Sequence, residues 1–304
     1  MRADAPFVAR PVGDEASARR LAAGLAASIG APAPVLLKLG MNASYACGDV
    51  VVRVGRPTAE PTAAYDLADT LGGAGIRVPD PAAGRPLATD GDLAATAWQR
   101  IEPAGTIDWR GVGEMVARLH AIDPAAIPPA YPVPAGSAYP WWQFADLLRQ
   151  ARPLLDEAAR RGLVAAVDRN ADWLDRARPD SWVLCHGDPH PQNVIAGGRG
   201  SVLLDWDLLC VAPPAWDHAP LRSMVARWGT DPAASRDFAA GYGAACGRAL
   251  DDDPVAVKLT ELRLVAATLM RVLAEGPDRS PDSEASRRLR YWRGEADAPV
   301  WRVV

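Results

Sequence analysis

The sequence predicts an α+β protein of two lobes, a small strand-rich one followed by a larger, mainly helical one. Three observations carry this. Short β-branched runs punctuated by Gly, Asn and Asp fill the first hundred or so residues. After residue 105 apolar side chains recur at helical spacing, as in Val112, Met115, Val116 and Leu119. The length, 304 residues, exceeds what one small core organises and suits two coupled lobes, whose cleft is a common ligand site.

The elements follow in order. Glu15 to Ile29 is alanine-rich and amphipathic and reads as a helix stopped at Gly30. Val35 to Leu39 reads as a strand and Gly40 to Ser44 as a turn. Tyr45 to Val54, with Gly48-Asp49 at its centre, is a hairpin. Thr62 to Leu71 is a helix ending at Gly72-Gly73, and Pro79 keeps Ile76 to Val78 extended. Leu93 to Ile101 is an apolar strand. These features divide the chain into residues 1–102, a hinge near 98–103, and residues 104–304. In the second part a proline-rich loop runs from Pro124 to Pro140. Helical patterns occupy Trp141 to Leu155, Gly162 to Ala177, Phe238 to Gly247 and Val255 to Leu273. One β-like island, Ser181 to Cys210, interrupts them. The last ~30 residues are charged and read as a partly mobile end.

Composition excludes several function classes. A net charge of −4, from 33 basic and 37 acidic residues, lacks the basic excess of a nucleic-acid binder. No apolar run reaches the ~18 residues of a membrane span. Met1 to Arg20 carries acids and no apolar stretch, unlike a signal peptide. Cys47, Cys185, Cys210 and Cys246 are far apart, which suits free thiols in a reducing cytoplasm. Lys38 and Lys258 are the only lysines, so nearly every cation is arginine.

Reactive side chains concentrate in His186-Gly187-Asp188-Pro189-His190-Pro191-Gln192-Asn193, between the apolar segments Trp182 to Cys185 and Val194-Ile195. A further run, Val202 to Leu204, ends in Asp205-Trp206-Asp207. The interval from Asn193 to Asp205 is long enough for a strand, a turn and a return strand. That hairpin brings Asp205 back beside Asp188 and Asn193. Three such groups make a hard oxygen-donor site of the kind Mg²⁺ favours. In kinase-type phosphotransfer one Asp accepts the hydroxyl proton while an Asn and a second Asp hold metal.

The pattern His-Gly-Asp-x-x-x-x-Asn, a strand, then Asp-x-Asp, with Trp216-Asp217-His218-Ala219 downstream, resembles the aminoglycoside phosphotransferase family. That family is related to choline kinases, methylthioribose kinases and, more remotely, protein kinases. The resemblance covers roughly residues 30–275 and implies a protein-kinase-like fold with Mg²⁺ and ATP or GTP as cofactors. It implies that Asp188 orients and deprotonates the acceptor hydroxyl, and that Asn193 and Asp205 bind metal. Asp207 falls where relatives carry either glycine or an acidic metal ligand. His186 and Asp217 are read as props of the catalytic loop. His190 is either a substrate contact or a loop-surface histidine.

On the nucleotide side, Gly40-Met41-Asn42-Ala43-Ser44-Tyr45 resembles the family's phosphate-covering loop, with Asn42 and Ser44 matching in type. Arg53 stands where the family usually has a phosphate-gripping lysine, and can grip phosphate bidentately. Kinases pair that cation with a helix Glu. The helix here has none, so Glu60 is the first choice of partner. The hinge would meet the base through the Gln99 carbonyl and Ile101 N–H, and Trp98 either lines that pocket or fills core.

The acceptor would bind the helical lobe, with Trp141, Trp142, His190 and Glu261 as candidates. Residues 106–304 carry 23 basic and 26 acidic groups, net −3, too little bias to demand a polycationic acceptor. Asp251-Asp252-Asp253 reads as a solvated loop or helix start. The leading expectation is a phosphotransferase acting on a hydroxyl of a small molecule, most simply an antibiotic or other hydroxylated natural product, as a monomer or homodimer. The alternatives are a kinase of a small metabolite, a nucleotide-holding pseudokinase, and a metal-dependent phosphohydrolase using His186, Asp188, His190, Asp205 and His218.

Overall fold

The computed structural model describes residues 12–303 except 58, 179, 180, 251, 252 and 254. The readings of residues 1–11 and of Asp251 and Asp252 therefore lie outside the described residues. Asp253 accepts N–H bonds from Val255 (3.0 Å) and Ala215 (3.4 Å).

Five antiparallel strands, β1 (Val35–Leu39), β2 (Ala43–Cys47), β3 (Val50–Gly55), β4 (Leu87–Asp90) and β5 (Leu93–Gln99), form one sheet in the order β1-β2-β3-β5-β4. Alternation does the sorting. Tyr45, Val52, Val54, Ala95 and Ala97 bury against α1 (Glu15–Ser28), which puts Arg53 on the opposite face beside Ser44 and Thr96. Strand β4 was not expected, although Gly91-Asp92 repeats the Gly-Asp turn chemistry of the first hairpin.

Helix α2 (Ala63–Gly73) follows β3. Its Asp66 and Asp69 both pair with Arg85, so neither serves Arg53. The lobes are stitched by the hairpin β7 (Val194–Gly197) and β8 (Gly200–Leu203). Ala104 N–H donates to Ala196 O (2.6 Å), Leu203 N–H to Arg77 O (2.9 Å), and Arg77 Nε to Ser201 O (2.9 Å).

In the helical lobe α3 (Trp109–His120) crosses α8 (Pro232–Cys246) at backbone contact. A Cβ on Gly113 would lie 2.0 Å from Phe238 O, and one on Gly241 would lie 2.0 Å from Arg110 O. Only glycine permits that approach. Helix α7 (Ala219–Arg227) packs on α8 and on α9 (Ala256–Glu275), and α9 in turn packs on α4 (Phe144–Ala151), α5 (Glu157–Arg169) and α10 (Glu284–Trp292), with the short α6 (Trp173–Arg176) following α5. The expected helix from Trp141 begins instead at Phe144, because Pro140–Trp142 forms a short 3₁₀ turn.

The mobile-end reading is corrected. Helix α10 and the residues after it are tied down. Leu289, Trp292 and Trp301 are buried, Trp292 Nε1 donates to Thr268 Oγ1 (2.8 Å), and Arg302 N–H donates to Glu284 Oε1 (3.0 Å). The charge that suggested mobility is spent on pairs such as Arg288 with Glu284 (2.8 Å).

Candidate active site

The polar loop 186–193 joins β6 (Val183–Cys185), which pairs with β9 (Cys210–Ala212), to β7. Its entry is sharply bent at Gly187, φ +94°, where a Cβ would lie 2.2 Å from Leu208 O. Asp217, fully buried, anchors that bend. It accepts from His186 N–H (2.8 Å) and Gly187 N–H (2.7 Å), and from His120 Nε2 (3.1 Å). His120 in turn receives the Tyr242 hydroxyl at Nδ1 (2.9 Å). His186 Nδ1 accepts from Asp188 N–H (3.2 Å), so its Nε2 carries the proton and donates to Leu204 O (2.9 Å). Burial lowers the His186 pKa from its ordinary value and keeps the ring neutral, with the Trp206 ring 4.4 Å away.

Asp188 is ringed by donors. Arg263 Nη2 bonds Oδ1 and Arg263 Nη1 bonds Gly187 O (3.0 Å). His190 Nε2 stands 3.2 Å from Oδ2, and Asn193 Nδ2 reaches Oδ2 (3.3 Å) and the Asp188 carbonyl (3.0 Å). Burial would push the Asp188 carboxyl up, but His190 and Arg263 more than offset this and hold it well below the ordinary carboxylate range.

The β7–β8 hairpin returns the chain to Asp205, which adopts a left-handed backbone, φ +62°. Across the cleft Arg53 Nη2 meets Asp207 Oδ2 (2.5 Å) and Asp205 Oδ1 (3.2 Å), and Asn42 Nδ2 donates to the same Asp207 oxygen (3.0 Å). Tyr131, from the proline-rich loop, lines the same pocket and donates its hydroxyl to Trp206 O (2.9 Å). Desolvation in the cleft and then the Asp207 carboxylate push the Asp205 carboxyl up.

The donor set fits a divalent cation. Asn193 spends its Nδ2 on Asp188 and leaves Oδ1 as its remaining polar atom. Asp205 and Asp207 crowd two carboxylates where a hard cation would relieve the repulsion. Among the described residues, the cluster of His120, Cys185 and Asp217 lies beneath the loop, its carboxylate already committed to two backbone N–H groups.

Residues 41–256 match the phosphotransferase enzyme family, APH. The chain belongs to that family. Solved structures agree on the fold. A spectinomycin phosphotransferase in complex with ADP and spectinomycin is 16% identical, with TM-score 0.60, covering 88% of this chain and 90% of its own. A choline/ethanolamine kinase family protein from Mesorhizobium loti is 16% identical, with TM-score 0.62, covering 94% and 95%. An amicoumacin kinase in complex with AMP-PNP and Ca²⁺ is 14% identical, with TM-score 0.64, covering 86% and 87%. Comparison with curated proteins finds no match by sequence.

Against this phosphotransferase frame, the expected site residues divide. Asp188, Asn193, Asp205, Asp207, Arg53 and Asn42 come together, with His186 and Asp217 beneath them. Ser44 lies opposite Arg53 in the hairpin register. Gln99 and Ile101 lie on the lobe connection, where Gln99 N–H donates to Asp80 O (2.8 Å) and Ile101 packs by Gly197. Trp98 packs on Tyr65, ring centroids 4.9 Å apart.

Four readings are corrected. Arg53 pairs with Asp205 and Asp207, and Glu60 only shares the pocket wall. Glu261 is held by Arg169 and by Asn170 Nδ2 (2.7 Å), away from the 186–193 loop. Trp142 is buried in an aromatic core with Trp173 and Trp216. Trp141 alone of the adjacent pair is partly exposed. His190 is no loop-surface residue, since it leans on Asp188. Arg263 and Tyr131 escaped the sequence reading. Each is a single polar residue in a helical or loop context with no motif around it.

The geometry does not favour the hydrolase alternative. His186 faces Leu204 O (2.9 Å), His190 leans on Asp188 (3.2 Å) and His218 bonds Ser235 Oγ (2.8 Å), and among the described residues these ligands do not gather on one point.

Proposed function

We propose that this protein transfers the γ-phosphoryl group of ATP or GTP, with Mg²⁺, to a hydroxyl of a small molecule. What supports the reading is the meeting of Asp188, Asn193 and Asp205 at one edge of a cleft whose other edge is Arg53 and Asn42. A bound magnesium ion would neutralise charge on the β- and γ-phosphates, with Asn193 and Asp205 as its holders and Asp207 beside them. Arg53 and the Asn42 loop would grip the phosphates, and Asp188 would orient the acceptor hydroxyl and take its proton. Catalysis then rests on positioning and charge rather than on a covalent intermediate.

The acceptor class is a small hydroxylated molecule of the antibiotic or natural-product kind, with a small-metabolite kinase as the alternative. Relatives of both kinds share the fold, one in complex with spectinomycin and one of the choline/ethanolamine kinase family. The absent helix Glu favours a pseudokinase, and against it Asp207 offers Arg53 a carboxylate partner from the other lobe. The test is ADP release from Mg-ATP over a panel of hydroxylated acceptors, comparing the unaltered protein with Asp205→Ala. Acceptor-dependent release that the substitution abolishes is expected. Tight nucleotide binding with no release on any acceptor would favour the pseudokinase.

A further inference from the structure

One face of the 186–193 loop carries a guanidinium held in place. Arg263, on α9, is bonded to both Gly187 O and Asp188 Oδ1 and lies over the Trp141 ring, 5.1 Å from its centroid. Its side chain is 12% exposed, so the charge is held in place rather than waving in solvent.

Among the described residues, the other carboxylates on α9's near neighbours are committed elsewhere. Glu261 points away to Arg169 and Asn170, and Asp146 on α4 pairs with Arg149. Helix α7 has no acid at all. Arg263 therefore rests on the one carboxylate that the phosphotransferase reading needs free for a hydroxyl proton.

We propose that Arg263 is a specificity-determining residue of the acceptor site, and that the acceptor carries a carboxylate or phosphate next to the hydroxyl it presents. The inference rests on the phosphotransferase reading above. An anion beside the hydroxyl gives Arg263 a bidentate partner in exchange for Asp188, so no buried charge is left unpaired. Asp188 Oδ1 is then free. The hydroxyl proton passes to Asp188, the hydroxyl oxygen bonds the γ-phosphorus, and the bond from that phosphorus to the β–γ bridging oxygen breaks. The electron pair leaves with the nucleoside diphosphate. A cationic acceptor meets like charge at Arg263, and a neutral one supplies no replacement partner.

Gluconate, glucitol and glucamine test this, because they share a polyol chain and differ at one end as anion, neutral group and cation. Each is titrated calorimetrically into the protein loaded with Mg-AMP-PNP, and ADP release from Mg-ATP is measured beside it. Gluconate should bind about tenfold more tightly than glucamine. Arg263→Gln should erase that order and Arg263→Lys should keep part of it, with the KM for ATP unchanged within about twofold. Equal binding of the three, preference for glucamine, or no binding of any by a protein that does bind Mg-AMP-PNP would overturn the inference and leave the phosphotransferase reading standing. Failure to bind Mg-AMP-PNP would instead sink that reading, and the inference with it.

Discussion

Arg53 of the sheet lobe and Asp207 of the helical lobe form a 2.5 Å ion pair across the cleft, and Asn42 shares the same carboxylate oxygen. The small-lobe cation thus finds its partner in the opposite lobe, not on the helix that follows it. Asp207→Asn should loosen both Arg53 and the Asn42 loop and raise the KM for Mg-ATP about tenfold. Both side chains are about a third exposed, so the change in stability should stay within about 1 kcal/mol. Steady-state kinetics alongside a thermal melt separates the two effects.

Asp188 is bonded by Arg263, His190 and Asn193 together. Asp188→Asn keeps the shape and removes the carboxylate proposed to take the hydroxyl proton. Turnover should fall by roughly 10²–10⁴-fold, while nucleotide affinity measured by calorimetry should hardly move. A parallel loss of nucleotide binding would mean that Asp188 acts on the nucleotide instead.

Asp217 carries the loop. Asp217→Ala leaves the His186 and Gly187 N–H groups buried without acceptors and strands His120 as well. Each such orphan costs about 1–3 kcal/mol, so a loss of about 3 kcal/mol or more is expected. Chemical denaturation would read it directly. A loss below about 1 kcal/mol would show that water replaces the carboxylate.

His186 ties stability to pH. Burial depresses its folded pKa below the ordinary value of 6.5, so the unfolded chain binds more protons just below that pH. Stability from this group is full above pH 6.5 and is lost as pH falls from there towards the folded pKa. Asp188, also depressed, loses its contribution only below the ordinary carboxylate value of 3.8. His186→Gln should therefore flatten the fall in melting temperature between about pH 7 and pH 5. An unchanged slope would assign it to another group.

Much of this was legible because the informative residues are close in sequence or governed by alternation. The loop from His186 to Asn193 and the return to Asp205 follow from a single hairpin length. The orientation of Arg53 follows from the strand period, since Val52 and Val54 must go inward. What stayed hidden depends on distant pairings. Arg263 lies 75 residues from Asp188, and nothing local on α9 marks it. Asp207 looked only like a metal ligand because its bonds to Arg53 and Asn42 cross from one lobe to the other. The C-terminal helix was misread because its charges looked solvated, whereas Arg288 and Glu284 pair with each other in a buried setting. Trp141 and Trp142 could be told apart only by packing. Adjacent positions on a turn face different ways, and the rest of the aromatic cluster decides which one is covered.

The most direct test follows the phosphorus itself. The protein is incubated with Mg²⁺ and ATP labelled at the γ-phosphate, over a panel of hydroxylated acceptors, beside Asp188→Asn. The account predicts a labelled phosphate ester that forms only with acceptor present and disappears in the variant. A labelled ester formed equally well by Asp188→Asn, or label appearing only as inorganic phosphate whatever the acceptor, would contradict it.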